Sequence, residues 1–297
     1  MRKYRNISLL RFSVLFGLCC ILMLQTGCSV INPPESILEA KTHTYHQGKF
    51  IWHDLVTSDV AAAKTFYGQL FSWTFEQRDR YTMVSLNGER VAGILDVQPT
   101  SVEGHAARWI SSLSVADVDQ ATKVVLANGG KVHIGPETIL DRGRVALVSD
   151  QHGAQFSIIH AKNGDPDDGP IAYGSWLWHE LWTDNSSDSA NFYTELAGYS
   201  SIEEIDSYQI LKADNKWRAG IRTLFNPALE QRWVPVIRVK DVKAVSAQAK
   251  QFGGKVLIEP ENPDYADQVA LLADPSGALF MIQEWSGRNN QQGDKSE

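Results

Sequence analysis

The chain contains the same long pattern twice, about 125 residues apart, and this repetition limits its folds more than any other feature. Trp52-His53-Asp54-Leu55 followed by Phe66-Tyr67 recurs as Trp178-His179-Glu180-Leu181 followed by Phe192-Tyr193, with 14 residues from Trp to Phe in both copies. A second pattern, Arg108-Trp109, Asp117-Val118, Gly129-Gly130-Lys131-Val132 and Gly153-Ala154, recurs as Arg232-Trp233, Asp241-Val242, Gly253-Gly254-Lys255-Val256 and Gly277-Ala278. Trp to first Gly is 20 residues and first to last Gly is 24 residues in each copy. Matched spacing over such a length is the mark of a duplicated domain whose halves share one fold.

Each half divides again. Phe50 to Val56 partly alternates apolar and polar residues, as a strand does. Asp59 stands at an N-cap position, and Val60, Ala63, Tyr67 and Leu70 form one apolar stripe at helical spacing. Strand-like runs follow at Thr74 to Gln77, Tyr81 to Leu86 and Val91 to Val97, the last two joined by the hairpin pair Asn87-Gly88. The second unit repeats this order from Trp109, with Asp117 as cap and Asn128-Gly129-Gly130 as helix stop, and residues 175–224 and 232–285 run through both units again. The expected fold is α+β: four βαβββ modules forming two half-open barrels, each with a concave inner face of the kind that binds small molecules. How the modules pair is open.

The ends carry other information. Arg2, Lys3, Arg5 and Arg11 precede an apolar run from Phe12 to Leu24 that stops at Gly27-Cys28. The run is shorter than the roughly 20 residues of a membrane span and suits a secretory signal. The Gly-Cys junction resembles a lipobox, in which Cys28 is acylated, although Gln25 stands where Leu is usual; Ser29 matches the outer-membrane sorting pattern. The expected organisation is signal peptide 1–28, tether 29–48, first domain 49–161, linker 162–174, second domain 175–285 and polar tail 286–297. All three cysteines (Cys19, Cys20, Cys28) lie at or before the cleavage point, so no disulfide supports the body. Loss of the signal removes four positive charges and takes the formal charge from -7 to -11, which argues against a nucleic-acid partner. A lipid-anchored monomer facing the periplasm is expected.

The βαβββ units, the Phe-Tyr of the first helix and the turn Asp274-Pro275-Ser276-Gly277, with Asp150-Gln151-His152-Gly153 as a looser version, resemble the vicinal oxygen chelate superfamily of glyoxalase I, extradiol dioxygenases and bleomycin-resistance proteins. Phe66-Tyr67-Gly68-Gln69-Leu70-Phe71-Ser72-Trp73 is similar to the helix of its tandem glyoxalase-like subgroup, and the likeness runs over residues 49–285. It implies the fold strongly and the function weakly, because one scaffold carries many activities.

Characterised members hold a divalent ion with His, Gln or Glu on the first strand and Glu or His on the last strand of each module. Here those first-strand positions fall on Trp52, Ile110, Trp178 and Val234. The last-strand positions fall on Ser157 and Met281, and at Gly93-Ile94 and Gly220-Ile221. None is a good ligand, so no family-type metal and no other cofactor is expected. Strand alternation places Trp52, Asp54 and Val56 on one face and Trp178, Glu180 and Trp182 on the matching face. If that face is the inner one, Asp54 and Glu180 are candidate proton-transfer groups whose pKa values an indole in a dry cup would raise. Structural hydrogen bonding is the plainer role for both. His53 and His179 alternate to the other face as packed histidines. Trp52, Trp178, Trp109 and Trp233 are candidate ligand walls, with core packing the alternative. Tyr81, Arg144, Tyr208 and Tyr265 lie near the mouths without a readable orientation.

Three functions remain open: a metal-free binding protein for a small apolar or aromatic molecule; a glyoxalase-like lyase or isomerase, or a dioxygenase-like enzyme, using Asp54 or Glu180 or an unorthodox metal site; and an envelope adaptor whose cups are filled by their own side chains.

Overall fold

The computed structural model describes Leu38 and residues 43–97, 107–199, 201–205, 208–224, 230–262 and 268–286. Residues 1–28, read from sequence as a signal peptide ending at Cys28, most of residues 29–48, read as a tether, Tyr265 and the residues after 286 lie outside them. Among the described residues no helix is long and apolar enough to cross a membrane.

The first half contains β1 (Phe50–Thr57), α1 (Val60–Phe71), β2 (Thr74–Arg78), β3 (Tyr81–Leu86), β4 (Glu89–Asp96), β5 (Arg108–Ser114), α2 (Val118–Ala127), β6 (Lys131–Ile139), β7 (Gly143–Ser149) and β8 (Gln155–Ala161). The second repeats the order with β9 (Trp176–Thr183), α3 (Ser186–Ala197), β10 (Ser201–Ile205), β11 (Tyr208–Ala213), β12 (Lys216–Thr223), β13 (Arg232–Val239), α4 (Val242–Gln251), β14 (Lys255–Ile258), β15 (Val269–Ala273) and β16 (Leu279–Glu284). The two sheets have eight strands each, in the orders β2-β3-β4-β1-β5-β8-β7-β6 and β10-β11-β12-β9-β13-β16-β15-β14. Modules therefore pair within a half, through the antiparallel contact of their first strands, β1 with β5 and β9 with β13.

Asp59 and Asp117 cap their helices as the sequence predicts, accepting hydrogen bonds from the backbone N–H groups of Ala62 and Gln120, and Asn185 and Asp241 do the same for Asp188 and Ala244. All four helices lie between the sheets, and the core there joins modules of different halves. One cluster packs Val118, Val125 and Phe156 of the second module with Phe192, Tyr193 and Trp233 of the second half. The other packs Phe66, Tyr67 and Trp109 with Val242, Phe280 and Ile282. The repeated motifs clasp this interface. Tyr67 Oη donates to Asp274 Oδ2 at 3.2 Å and accepts from Trp109 Nε1 at 2.9 Å. Tyr193 Oη donates to Asp150 Oδ2 at 2.9 Å and accepts from Trp233 Nε1 at 2.8 Å. Burial pushes Asp150 and Asp274 above the usual carboxylate range.

A bulge near the start of β1 breaks the alternation, so Ile51 and Trp52 both turn to the concave side while Phe50 and His53 face the helices. The bulge between Val236 and Ile237 does the same for the opposed β9, where Leu177 and Trp178 share the concave face and Trp176 faces inward. Residues 43–48, read from sequence as part of a loose tether, are docked. Tyr45 stacks on His160 at 4.3 Å, and the Asp165 amide donates to the Thr44 carbonyl at 2.7 Å. The linker is pinned as well, because Asp168 pairs with Lys49, Lys216 and Arg218 at 2.8–2.9 Å. Burial pushes Asp168 up, but the hydrogen bonds from those three cations outweigh it and hold the carboxyl well below its usual range.

Candidate functional site

Each sheet curls around a concave face with one carboxylate at its floor. In the first cup Asp54, central on β1, lies between Gly93 of β4 and Ile110 of β5. Its Oδ1 accepts hydrogen bonds from Tyr81 Oη at 2.6 Å, Arg142 Nη2 at 2.9 Å and Trp52 Nε1 at 3.1 Å, and its Oδ2 accepts from Arg142 Nη1 at 2.5 Å. The Arg142 guanidinium also lies over the Tyr81 ring, 5.1 Å from its centroid. Burial raises the Asp54 carboxyl, but the Arg142 charge and the hydrogen bonds prevail and hold it below the usual range. The rise expected from an indole neighbour is overturned by this partner: Asp54 is an anion at neutral pH. Tyr81 is pushed well above the ordinary phenol value, by burial first and the Asp54 charge second.

The second cup repeats the design with a different cation. Glu180 lies between Gly220 of β12 and Val234 of β13. Its Oε1 accepts from Arg222 Nε at 2.6 Å and Trp182 Nε1 at 2.7 Å, and Trp178 Nε1 donates to Tyr208 Oη at 2.7 Å. Arg222 sits over the Tyr208 ring, 4.9 Å from its centroid. The two arginines come from unrelated places. Arg142 is on the turn between β6 and β7, whereas Arg222 is on β12, and the repeat position of Arg222 in the first half is Leu95. That difference is why neither arginine was visible in the repeat pattern. The tyrosines had a signal, since Tyr81 precedes Gly93 and Tyr208 precedes Gly220 by 12 residues in both halves.

The candidates separate cleanly. Trp52, Asp54, Trp178 and Glu180 are brought together in the two cups. Trp109 and Trp233 are not: both are buried on the helix side, where their indoles bond to Tyr67 and Tyr193, so core packing replaces the ligand-wall reading for this pair. Arg144 pairs with Asp119 instead of entering a cup. His53 and His179 meet between the halves, Nε2 to Nε2 at 2.7 Å, with Trp176 stacked on His53 and Phe50 on His179 at 4.2 Å. One ring donates and the other accepts. Burial drives His53 down to about 3 and His179 well below its ordinary value, so both imidazoles are neutral at pH 7.

The metal positions of the resembled superfamily can be tested against these residues. A Cβ on Gly93 would stand 1.7 Å from Tyr81 Oη, and one on Gly220 1.8 Å from Tyr208 Oη. No ligand side chain fits at either glycine while its tyrosine is in place. Ser157 donates to the Ala146 carbonyl, and Ile110, Val234 and Met281 are buried and carry no hard donor. The described residues hold no grouping of three His, Cys, Asp or Glu side chains that could bind an ion. The residues present do not fit the family-type cation.

Two curled eight-stranded sheets of βαβββ modules, each with a polar floor at mid-sheet, define a tandem glyoxalase-like protein. Residues 49–158 match the family model for the Glyoxalase/Bleomycin resistance protein/Dioxygenase superfamily. The chain is 32% identical over 252 residues to "Putative glyoxylase CFP32" of Mycobacterium tuberculosis, covering 82% of this chain and 97% of that one. It is 29% identical over 256 residues to the anthracycline biosynthesis protein DnrV of Streptomyces peucetius, covering 78% and 92%. The chain belongs to this superfamily. Its fold is similar to the Mn(II)-bound glyoxalase from Novosphingobium aromaticivorans, with a TM-score of 0.58 at 14% identity, covering 80% of this chain and 82% of that one. It is also similar to a variant of homoprotocatechuate 2,3-dioxygenase from B. fuscum, with a TM-score of 0.56 at 11% identity and coverages of 86% and 77%.

Proposed function

We propose that this protein binds a small apolar or aromatic molecule in its second cup without the metal of its superfamily, as a monomeric lipoprotein held at Cys28 to the outer membrane and facing the periplasm. The observation that carries the binding reading is the partial exposure of Leu177 and Trp178 on the concave face, beside the buried Trp182, Val234, Val236 and Met281. An indole held by its own Nε1–Tyr208 bond is a fixed flat surface for a planar ligand. The Glu180–Arg222 pair beneath it offers a polar end to orient a substituent. Anchoring draws on the basic start, apolar run and Gly27-Cys28 junction of the sequence.

A thermal-shift screen of planar aromatic compounds against the full-length protein tests the binding: a ligand of the native form raises the midpoint, and Trp178→Ala removes the shift. A screen in which no compound moves the midpoint sinks this reading and favours the adaptor role. Incorporation of labelled palmitate, lost in Cys28→Ser, tests the anchor. The second reading is a glyoxalase-like lyase or isomerase, supported by the name of the mycobacterial relative. Against it, Arg142 and Arg222 occupy both floor carboxylates, and Asp54 is held ionised and so is no proton donor at neutral pH.

A further inference from the structure

The two cups are built alike but covered differently. Leu38, from the stretch ahead of the first domain, is 4% exposed and packs with Ile51, Trp52, Met83, Ile159 and Ala161, which line the concave face of the first sheet. Repeat spacing matches Ile51 to Leu177, Trp52 to Trp178 and Ile159 to Gln283. Ile51, Trp52 and Ile159 are buried, whereas Leu177, Trp178 and Gln283 are half-buried. Among the described residues, the apolar cluster of the second cup is made wholly of second-half residues, with no counterpart of Leu38. Ile51, Trp52 and Ile159 belong to the cluster that Leu38 joins, in which Met83 and its counterpart Ile210 are both buried and Val145 is more exposed than its counterpart Val269. Residues 43–48 hold the segment close to that cup: the Gly48 amide donates to the Ser114 carbonyl at 2.9 Å, and the His46 amide to Asp165 Oδ2 at 2.7 Å.

We propose that the first cup is a docking groove for the chain's own leading segment, with Leu38 as the side chain that fills it, and that this occupant excludes small molecules from the first cup. The duplication then has a division of labour, one cup turned inward to the chain that leads to the N-terminus and one left open.

The full-length chain tests this with two single thiols, Leu38→Cys and Tyr45→Cys. Both lie on the same segment, and Tyr45 is 37% exposed. Maleimide labelling is located by peptide mass, so the cysteines of the leader do not interfere. Labelling at position 38 is expected to be about tenfold slower or more than at position 45, the population ratio that burial of one aliphatic side chain sustains. The anionic naphthalene dye ANS supplies the second readout. Leu38→Asp, which expels the segment, is expected to add one dye site per chain, and Leu38→Ala to add a weaker one should the aspartate variant misfold. Equal labelling rates at the two positions, or an unchanged number of dye sites in both Leu38 variants, would overturn the proposal. Thiol labelling requires no ligand in the second cup, so its outcome is separate from that of the compound screen.

Discussion

Gly220→Ala isolates the packing of Tyr208 against the bare backbone of Gly220 in the second cup. Gly220 lies on a paired strand and outside the left-handed region, so its backbone accepts alanine. The cost is steric: the three atoms nearest the new methyl group all belong to Tyr208, at 1.8, 2.3 and 2.8 Å. Tyr208 must leave its place. Doing so breaks its hydrogen bond with Trp178, worth about 1 kcal/mol. It also loses the Arg222 stacking, worth about 0.5–1 kcal/mol, and forces repacking that costs about 1–3 kcal/mol. The expected destabilisation is about 2.5–5 kcal/mol, read from urea denaturation at pH 7. In a Tyr208→Leu background the same alanine has room, so its cost is expected to fall by about 2 kcal/mol or more, which a double-mutant cycle measures directly. An equal cost of Gly220→Ala in both backgrounds would show that tyrosine does not occupy the glycine's vacancy and would refute the reasoning. Gly93→Ala with Tyr81→Leu is the matching cycle for the first cup.

Other outcomes follow from the interface and the open cup. Tyr193→Phe leaves Asp150 Oδ2 and Trp233 Nε1 without their shared partner in a buried place, and is expected to cost about 1–3 kcal/mol in the same denaturation assay. The neutral histidine pair makes stability depend on acid. The folded value of His53 is about 3 against an ordinary 6.5, so the unfolded chain takes up a proton that the folded one refuses. Stability is therefore full above pH 6.5 and falls as pH drops towards 3, by up to about 1.4 kcal/mol per pH unit for each such group. The loss between pH 7 and pH 5 is expected to shrink in His53→Phe/His179→Phe; a wild type equally stable at both values would contradict it. For any ligand of the second cup found by screening, Trp178→Ala is expected to weaken binding about tenfold or more while Trp52→Ala leaves it nearly unchanged, as isothermal titration would record.

Most of the fold was legible because the signals are local and repeated. Cap residues, hairpin turns and period-two runs report on their own neighbourhoods, and a spacing that occurs twice supports each reading twice. What sequence left open was long-range. The Phe-Tyr motif and the Asp-x-x-Gly turn were both visible, yet their meeting across the halves depends on which helices share a layer, and no local pattern encodes that. The bulges in the two first strands are a second case: strict alternation accounts for Trp52 and Asp54 but assigns Ile51 to the wrong face. The floor cations were hidden for a different reason. Arg142 and Arg222 solve one electrostatic problem from unrelated positions, so comparison of the repeats could not reveal them. Trp109 and Trp233 show the limit of composition, since an indole suits a ligand wall and a core equally well until its neighbours are known.

The central claim is that tyrosine, arginine and glycine have taken the place of the cation in both cups. Elemental analysis of the full-length protein, purified without chelator and then dialysed against zinc, nickel, manganese or iron, tests it most directly. The account requires well under one equivalent of any of these metals retained per chain, with no difference between wild type and Glu180→Gln. One or two equivalents, lost on replacing Asp54, Glu180, His53 or His179, would contradict it.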